Sequence, residues 1–355
     1  MQNTVILAKR PGPEFPKDLS LFEFKQQKLL TPEEFQKNEN LILVKVFFIS
    51  IDPVMRVWIS GAKTYLPSLA LNETMFAFGI GEVINSNNKR FSKGDIVTGV
   101  LKMQQFCLID ITKDTFISKI PFLIPGIPLH YYLNVIGING FTAYYGLIAV
   151  GKPKVGETVV VSTAAGATGI LVCQFAKSLG CRVVGLTGSD EKCEFLRTEL
   201  GVDAVINYNK EKNIKAAFKK QCPKGIDIYF DNVGEDILDA VLAVMNDHGR
   251  IALSGAMKTY NNYKERSGLK NYNVIISKRI VMRGFTFNEC FENMGEVIGF
   301  ILEQIKDKKL IIKEEILQGL NKAPFGLQKL FLNQNIGKIL VQVDESFQEK
   351  NYSKL

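Results

Sequence analysis

Histidine is almost missing from this chain: 355 residues contain two, His130 and His248. A catalytic zinc needs about three protein ligands, usually including histidine, and a structural zinc about four closely spaced ones. Neither histidine sits at ligand spacing from a cysteine, so no metal site is expected, and both read as structural or surface residues. Cysteine is also sparse. The six, at positions 107, 173, 181, 193, 222 and 290, form no C-x-x-C pair, which excludes a disulfide scaffold and points to thiols in a reducing compartment. Charge of one sign is only mildly in excess. The net +8 comes from scattered lysines, crowded only at Lys210–Lys224 and Lys306–Lys313, without interleaved aromatics. That pattern describes solvated helix faces and not a nucleic-acid stripe, although it favours an anionic ligand such as a phosphorylated cofactor. Long apolar runs are absent as well. The start, MQNTVILAKRPGPEF, lacks the apolar core and cleavage site of a secretory signal. The uncharged stretch between Lys119 and Lys152 is broken by Pro121, Pro125, Pro128, Asn134 and Asn139. A loop and then a buried helix is expected there, and no membrane span.

What is present is the mix of a globular enzyme, 46% hydrophobic and 23% charged, at a length that predicts about two domains. Residues 1 to about 128 read as β-rich. Leu41–Ile51 (LILVKVFFISI) is strand-like, Gly79–Val83 and Asp95–Gly99 look like further strands, and no long helix announces itself. A small barrel or sandwich is expected. From about Leu129 the rhythm changes to alternating strands and helices. Thr158–Ser162 is a continuous apolar strand of the kind buried on both faces. Gly169–Leu179 has apolar residues at helical spacing, and Cys181–Thr187 is the next strand. Helices are expected at Asp190–Leu200, Ile214–Gln221 and Asp236–Met245, and strands at Ala204–Ile206, Ile226–Phe230 and Arg250–Ser254. Repeated strand–helix units imply a doubly wound parallel sheet. The tail reverts to the first style, with strands at Leu310–Ile316 and Lys338–Val343 flanking a helix at Pro324–Leu332. The expected organisation is therefore 1–128, then 129–310, with 311–355 returning to the first domain.

The most informative segment is VVVSTAAGATG, Val159 to Gly169. A buried strand runs into a glycine turn and an apolar helix follows at once, the context that turns a glycine pattern into a dinucleotide site. Gly166 lets backbone amides approach a pyrophosphate, and Gly169 lets the helix pack closely on the strand; the helix N-terminus offers N–H groups and a positive dipole. The usual first glycine is Ala164, so the pattern is A-x-G-x-x-G. An enzyme that binds NAD places an acid at the tip of the second strand for the ribose 2′-OH. Here that tip reads Leu186-Thr187-Gly188-Ser189, with Lys192 shortly after. A hydroxyl and an ammonium suit a 2′-phosphate, hence NADP(H) over NAD. Ser189 is equally placed to cap the helix that begins at Asp190.

At this point a resemblance becomes specific. The strings Asp52-Pro53-Val54-Met55-Arg56, Gly140-Phe141-Thr142-Ala143-Tyr144, Gly188-Ser189-Asp190-Glu191-Lys192, Asn207-Tyr208, Phe230-Asp231-Asn232-Val233-Gly234, Gly255-Ala256, Thr259-Tyr260-Asn261 and Asn335-Ile336-Gly337-Lys338 run along nearly the whole chain. Together they resemble the zinc-independent medium-chain dehydrogenase/reductases, in particular the prostaglandin reductase, leukotriene B4 12-hydroxydehydrogenase and alkenal double-bond reductase group. The resemblance implies an α/β protein: a Rossmann domain with a GroES-like β-barrel catalytic domain built from both chain ends. It implies NADPH contacts at Gly166, Ala167, Thr168 and Gly169, at Lys192 and Tyr208 for the 2′-phosphate, and at Asn232, Ser254, Gly255, Ala256 and Tyr260. Phe285, Thr286, Phe287 and Asn335 complete that set, and homodimers are common in the group. The histidine that the zinc alcohol dehydrogenases carry in the strand matching Phe78-Gly79-Ile80-Gly81-Glu82 is missing. Thr64–Met75 and Asn262–Asn273 depart from the group's pattern, so the substrate loops are unreadable.

Without a metal, a carbonyl oxygen must be polarised by hydrogen-bond donors. Reduction of an activated C=C suits such a site: hydride adds to the β carbon of an enal or enone, and charge moves to the carbonyl oxygen as an enolate. Tyr260 is the candidate phenol to stabilise it, or else a residue that only packs on the cofactor ribose. Tyr65 and Arg56 are weaker candidates for the substrate, and Arg56 is better suited to a structural ion pair with an acid in the neighbourhood of Asp52. The alternatives are a quinone oxidoreductase, an enoyl-thioester reductase, or a non-catalytic NADPH-binding protein. Ser353-Lys354-Leu355 matches the peroxisomal address, implying the import receptor as a partner and the peroxisomal matrix as destination, with the cytoplasm as the alternative.

Overall fold

The computed structural model describes residues 1–28, 35, 36, 38–61, 68–113, 116–121, 123–260, 267–306 and 310–348. Tyr65, Asn261 and Ser353-Lys354-Leu355 lie outside the described residues. The chain divides into two units, Met1–Asn134 with the segment from Glu315 onward, and Val135–Glu314. The sequence places these borders at 128/129 and 310/311. Leu129 and Leu133, in a 3₁₀ segment, pack into a cluster with Phe47, Phe48, Ile80 and Leu340, which holds residues 129–134 to the first unit.

The first unit is antiparallel. Strands β1 (Gln2–Leu7) and β2 (Phe22–Gln27) form a two-stranded pair. Strands β3 (Leu41–Ile51), β4 (Phe76–Ser86), β5 (Ile96–Lys102), β6 (Phe106–Asp110) and β7 (Ile117–Lys119) build a larger sheet. Strand β3 pairs with β4 from Ile42 to Ile49 along one edge, and its first half, Leu41–Lys45, pairs with β6 along the other. Register shifts between Leu43 and Val44 and between Val46 and Phe48 let a continuous apolar run feed two clusters. Ile42, Val44, Ile49 and Ile51 join one, and Phe47 and Phe48 the other. The strand signal at 79–83 marks the centre of β4, and that at 95–99 marks the start of β5.

The second unit holds the parallel sheet. Its strands are β8 (Thr158–Val161), β9 (Arg182–Thr187), β10 (Ala204–Asn207), β11 (Ile226–Asp231), β12 (Met245–Leu253) and β13 (Val281–Gly284). Their order is β10-β9-β8-β11-β12-β13, and every pairing is parallel. The order reverses between β8 and β11, which is where open α/β sheets bind ligands beyond their carboxyl ends. Between the strands run helices Ala167–Ser178, Asp190–Thr198, Ile214–Gln221 and Glu235–Leu242. Val159, Val160 and Val161 have no exposed surface, as a strand covered on both faces requires. The uncharged stretch becomes a helix at Ile138–Tyr144 that widens to a π-helix over Tyr145–Gly151. Among the described residues no helix is long and apolar enough to cross a membrane.

Two expected elements move. The helix expected to Met245 ends at Leu242, and β12 begins at Met245. The polar run Asn246-Asp247-His248-Gly249 reads as turn material, but it is an irregular stretch of strand: Met245 pairs with Ile226 before regular pairing resumes at Arg250. His248 takes a φ of 58° there. In the tail, β14 lies at Glu314–Gln318, later than the expected Leu310–Ile316, and is followed by the helix Ala323–Phe331 and β15 (Lys338–Gln342). β15 pairs with the second half of β3, so the return of the chain completes the first unit's sheet.

Candidate active site

Nearly all the expected cofactor residues fall at one end of the parallel sheet. Gly166–Gly169 follow β8, Ser189 and Lys192 follow β9, Tyr208 follows β10, and Asn232 follows β11. Ser254–Tyr260 follow β12, and Phe285–Phe287 follow β13. Parallel pairing puts the carboxyl ends of six strands on one side, so six distant segments meet without any long-range signal in the sequence.

The phosphate turn is built on strain. Where the glycine pattern has its usual first glycine, Ala164 is fully buried and donates its N–H to Leu186 O at 2.9 Å. The tight bend is made one residue earlier by Thr163, with φ 51°. A β-branched residue in the left-handed region stores roughly 1–3 kcal/mol, and such strain collects at functional sites. Nothing in the sequence pattern marked it. Gly169 is required by contact: a Cβ there would lie 2.3 Å from Thr163 O and 2.8 Å from Ala164 Cα. A Cβ on Gly166 would meet only Thr163, at 3.1 Å. No side chain caps the helix Ala167–Ser178, whose N-cap is Gly166. Its first amides are thus left to a ligand, and the positive end of the helix dipole favours an anion. Thr168 Oγ1 accepts from Asn139 Nδ2 at 3.0 Å.

The second corner lies past β9. Ser189 does cap the helix Asp190–Thr198, its Oγ accepting from Lys192 N at 3.3 Å. Lys192 is buried, and burial lowers its ammonium to about 8, with the Glu191 carboxylate partly offsetting that. A desolvated amine at this corner gains most from a dianionic partner. The nearby acid Asp190 is occupied: it accepts from Asn207 Nδ2 at 2.8 Å and Lys210 Nζ at 2.5 Å. Tyr208 is half-buried, its phenol pushed up by burial, and its N–H donates to Thr187 O at 3.1 Å.

The third corner joins β8, β11 and β12. Asn232 spends its side chain on the protein, donating Nδ2 to Ser162 O at 2.7 Å, while its own N–H donates to Ser162 Oγ at 2.8 Å. The N–H groups of Ser254 and Gly255 donate to Asp231 O, and that of Met257 donates to Asn232 O. This ties the Ser254–Tyr260 segment, including Ala256, to the end of β11. Tyr260 is half-buried and closes a 3₁₀ turn, its Oη 3.5 Å from Ala256 N. Phe285 is buried against Phe230 and Tyr145. Thr286 forms a capping box with Glu289, and the Phe287 ring packs edge-on to Phe291.

The remaining candidates lie in the first unit. Asn335 is buried and donates Nδ2 to Gly337 O at 2.9 Å. Arg56 is buried and donates to Gly12 O at 2.5 Å. The acid after β3, Asp52, pairs with Lys338 at 2.5 Å.

Comparisons with known proteins give the family. Residues 3–117 match the model described as the N-terminal domain of oxidoreductase, and residues 167–303 that described as zinc-binding dehydrogenase. A 2-alkenal reductase (NADP(+)-dependent) from Nicotiana tabacum is 38% identical over 97% of this chain and 98% of its own. Prostaglandin reductase 1 from Mus musculus is 35% identical over 88% of this chain and 93% of its own. The crystal structure of CurA in complex with NADPH from Vibrio vulnificus superposes with a TM-score of 0.84 at 32% identity, covering 96% of this chain and 99% of that one. The chain belongs to the zinc-independent medium-chain dehydrogenase/reductases, in the group that holds the alkenal and prostaglandin reductases.

The zinc in one family description does not fit the donors here. Among the described residues no three His, Cys, Asp or Glu side chains are grouped to hold a metal ion. His130 packs against the Phe48 and Tyr131 rings, and His248 Nε2 accepts from Arg279 Nε at 3.3 Å. All six cysteines are buried, with the Cys173 thiol pushed up to about 12 by burial.

Proposed function

We propose that this protein is an NADPH-dependent reductase of the C=C bond in α,β-unsaturated aldehydes and ketones. The observation that carries the reading is the buried Lys192 ammonium past β9, where a protein that binds NAD would place an acid. The uncapped helix beginning at Ala167 and the glycine-cleared turn before it fit a pyrophosphate. The NADPH named with CurA and the NADP named with the tobacco reductase support the same cofactor.

Gly166, Ala167, Thr168 and Gly169 would hold the pyrophosphate through backbone amides. Lys192, Ser189 and Tyr208 would hold the 2′-phosphate. The segments Ser254–Tyr260 and Phe285–Phe287 would flank the nicotinamide end. When bound, the cofactor supplies a hydride to the β carbon of the substrate. The protein's own contribution is to stabilise the charge that moves onto the carbonyl oxygen. Tyr260 Oη–H is the donor we assign to that oxygen, and its segment is held by backbone bonds to β11 and needs little reorganisation. The α carbon then takes a proton from solvent or from a donor.

The test is a panel of 2-alkenals, enones, quinones and enoyl thioesters, each with NADPH and with NADH. Oxidation of NADPH by alkenals and enones, with NADH far slower, is expected. Equal rates with NADH would overturn the 2′-phosphate assignment, and turnover of quinones alone or enoyl thioesters alone would replace the substrate class. Tight NADPH binding with no turnover would make the protein a non-catalytic binder.

A further inference from the structure

Asp231 closes the third corner, and nothing in the mechanism above uses its side chain. It ends β11, its surface is entirely buried, and no described lysine, arginine or histidine pairs with it. One carboxyl oxygen takes every bond. Oδ1 accepts from Tyr229 Oη, Val233 N and Gly234 N, each at 2.9 Å, with Ser162 Oγ at 3.5 Å. Oδ2 is buried with no hydrogen-bond partner. A buried carboxyl oxygen without a partner costs about 1–3 kcal/mol, so the group is retained at a price in stability. What Oδ1 gathers explains the retention. Two of its donors are the successive amides of the turn after Asn232, which carries Gly234 at φ 81°. The third is the Tyr229 hydroxyl; Ser162 Oγ, 3.5 Å from Oδ1 and 3.3 Å from Phe230 O, accepts the Asn232 N–H of the same turn and sits one residue before the strained Thr163. Through its backbone, the same Asp231 carries the N–H groups of Ser254 and Gly255, at the head of the Tyr260 segment.

Taking the cofactor reading of this end of the sheet as given, we propose that Asp231 is a positioning residue. Its Oδ1 holds the amides of Val233 and Gly234, and so the turn whose Asn232 bonds to Ser162, fixing the phosphate turn and the Tyr260 segment relative to one another. Burial holds this carboxyl above its ordinary range, the direction expected when geometry and not a fixed negative charge is what the site uses. A polyanionic cofactor bound beside the turn gains nothing from an added charge there.

The test is cofactor binding and steady-state kinetics on purified Asp231→Ala and Asp231→Asn, with unfolding curves run alongside. Asp231→Ala removes the acceptor; it is expected to weaken NADPH and NADH binding by a similar factor, about tenfold, and to lower kcat further. The NADPH-to-NADH preference stays as it is, because the Lys192 corner hangs on β9. Asparagine keeps the Oδ1 acceptor and places its amide where Oδ2 has no partner, so Asp231→Asn is expected to recover most of the loss. A purely structural aspartate would lower stability while leaving the cofactor Kd of the folded fraction at the wild-type value, and that result overturns the proposal. So does an asparagine variant as impaired as the alanine one. If Asp231→Ala does not fold, Ser162→Ala decides: a several-fold weaker Kd for both cofactors supports the lock, and an unchanged Kd sinks it. Wild-type protein that binds no NADPH would instead defeat the cofactor reading itself.

Discussion

The two units use buried polar groups in opposite ways. In the parallel unit the buried charged groups stand at the carboxyl ends of strands, where we place the cofactor: Lys192 beyond β9 and Asp231 at the end of β11. In the antiparallel unit they tie the chain together. Lys338, 1% exposed, starts β15 and pairs with Asp52 just after β3, 286 residues away in sequence. Ser50 Oγ donates to the same carboxylate. A parallel sheet gathers its loop ends by topology alone, so it is free to spend charge on a ligand. The antiparallel sheet must recruit its last strands from the far end of the chain, and one of its few buried charges marks the join.

The difference predicts which property each substitution moves. Lys338→Met should have the largest effect, because it leaves the Asp52 carboxylate buried without its partner; breaking such a pair costs about 3–5 kcal/mol. Urea or thermal unfolding should show that loss, while the NADPH-to-NADH ratio of the folded protein stays put. A changed ratio would break the division of labour. Lys192→Ala should do the reverse. Losing a charge-assisted contact of roughly 1.5–3 kcal/mol weakens NADPH binding about 10- to 100-fold and leaves NADH nearly untouched.

A pH series sharpens the same point. Burial lowers Lys192 to about 8 from its ordinary 10.5. In the protein without cofactor, the native state therefore binds fewer protons than the unfolded chain between about 8 and 10.5, and this group's cost to stability is relieved as pH rises through that window. Cofactor affinity runs the other way. Below about 8 the ammonium is already present for the phosphate, and above it binding must take up a proton. The NADPH Kd should rise by up to about tenfold per pH unit above 8, while the NADH Kd stays flat. A parallel response of both cofactors would remove Lys192 from the 2′-phosphate. The smallest expected effect is at the bend. Thr163→Gly relieves left-handed strain of roughly 1–3 kcal/mol against glycine's entropic cost of about 0.5–1, a net gain of about 1 kcal/mol by urea unfolding.

How much of this was legible depended on whether the chemistry is contiguous. The strand, turn and helix from Val159 to Ser178 lie in one stretch, so period and glycine spacing located the element. Ser189 and Lys192 were legible for the same reason, with the cap and the buried amine both present. The start of β12 was not, because Asn246-Asp247-His248-Gly249 has turn chemistry that parallel pairing with β11 overrides. Asp231 was visible only as a letter in a family string, since its role lies in which donors converge on one of its oxygens. Arg56 and Asn335 carried motif identity, and the structure shows bonds from them to Gly12 and Gly337 within their own unit.

By itself the sequence determined the alternation of strands and helices, the glycine-cleared phosphate turn, and the basic corner where an acid would select the other cofactor. All of these are set by neighbours within about thirty residues, where side-chain period and backbone sterics act directly. Only the tertiary structure decided that Thr163 carries the bend, that Lys338 meets Asp52, and that Ser162 and Asp231 fasten three loops at one corner. Such contacts join segments tens to hundreds of residues apart, and their energies depend on burial and on partners that no local pattern encodes.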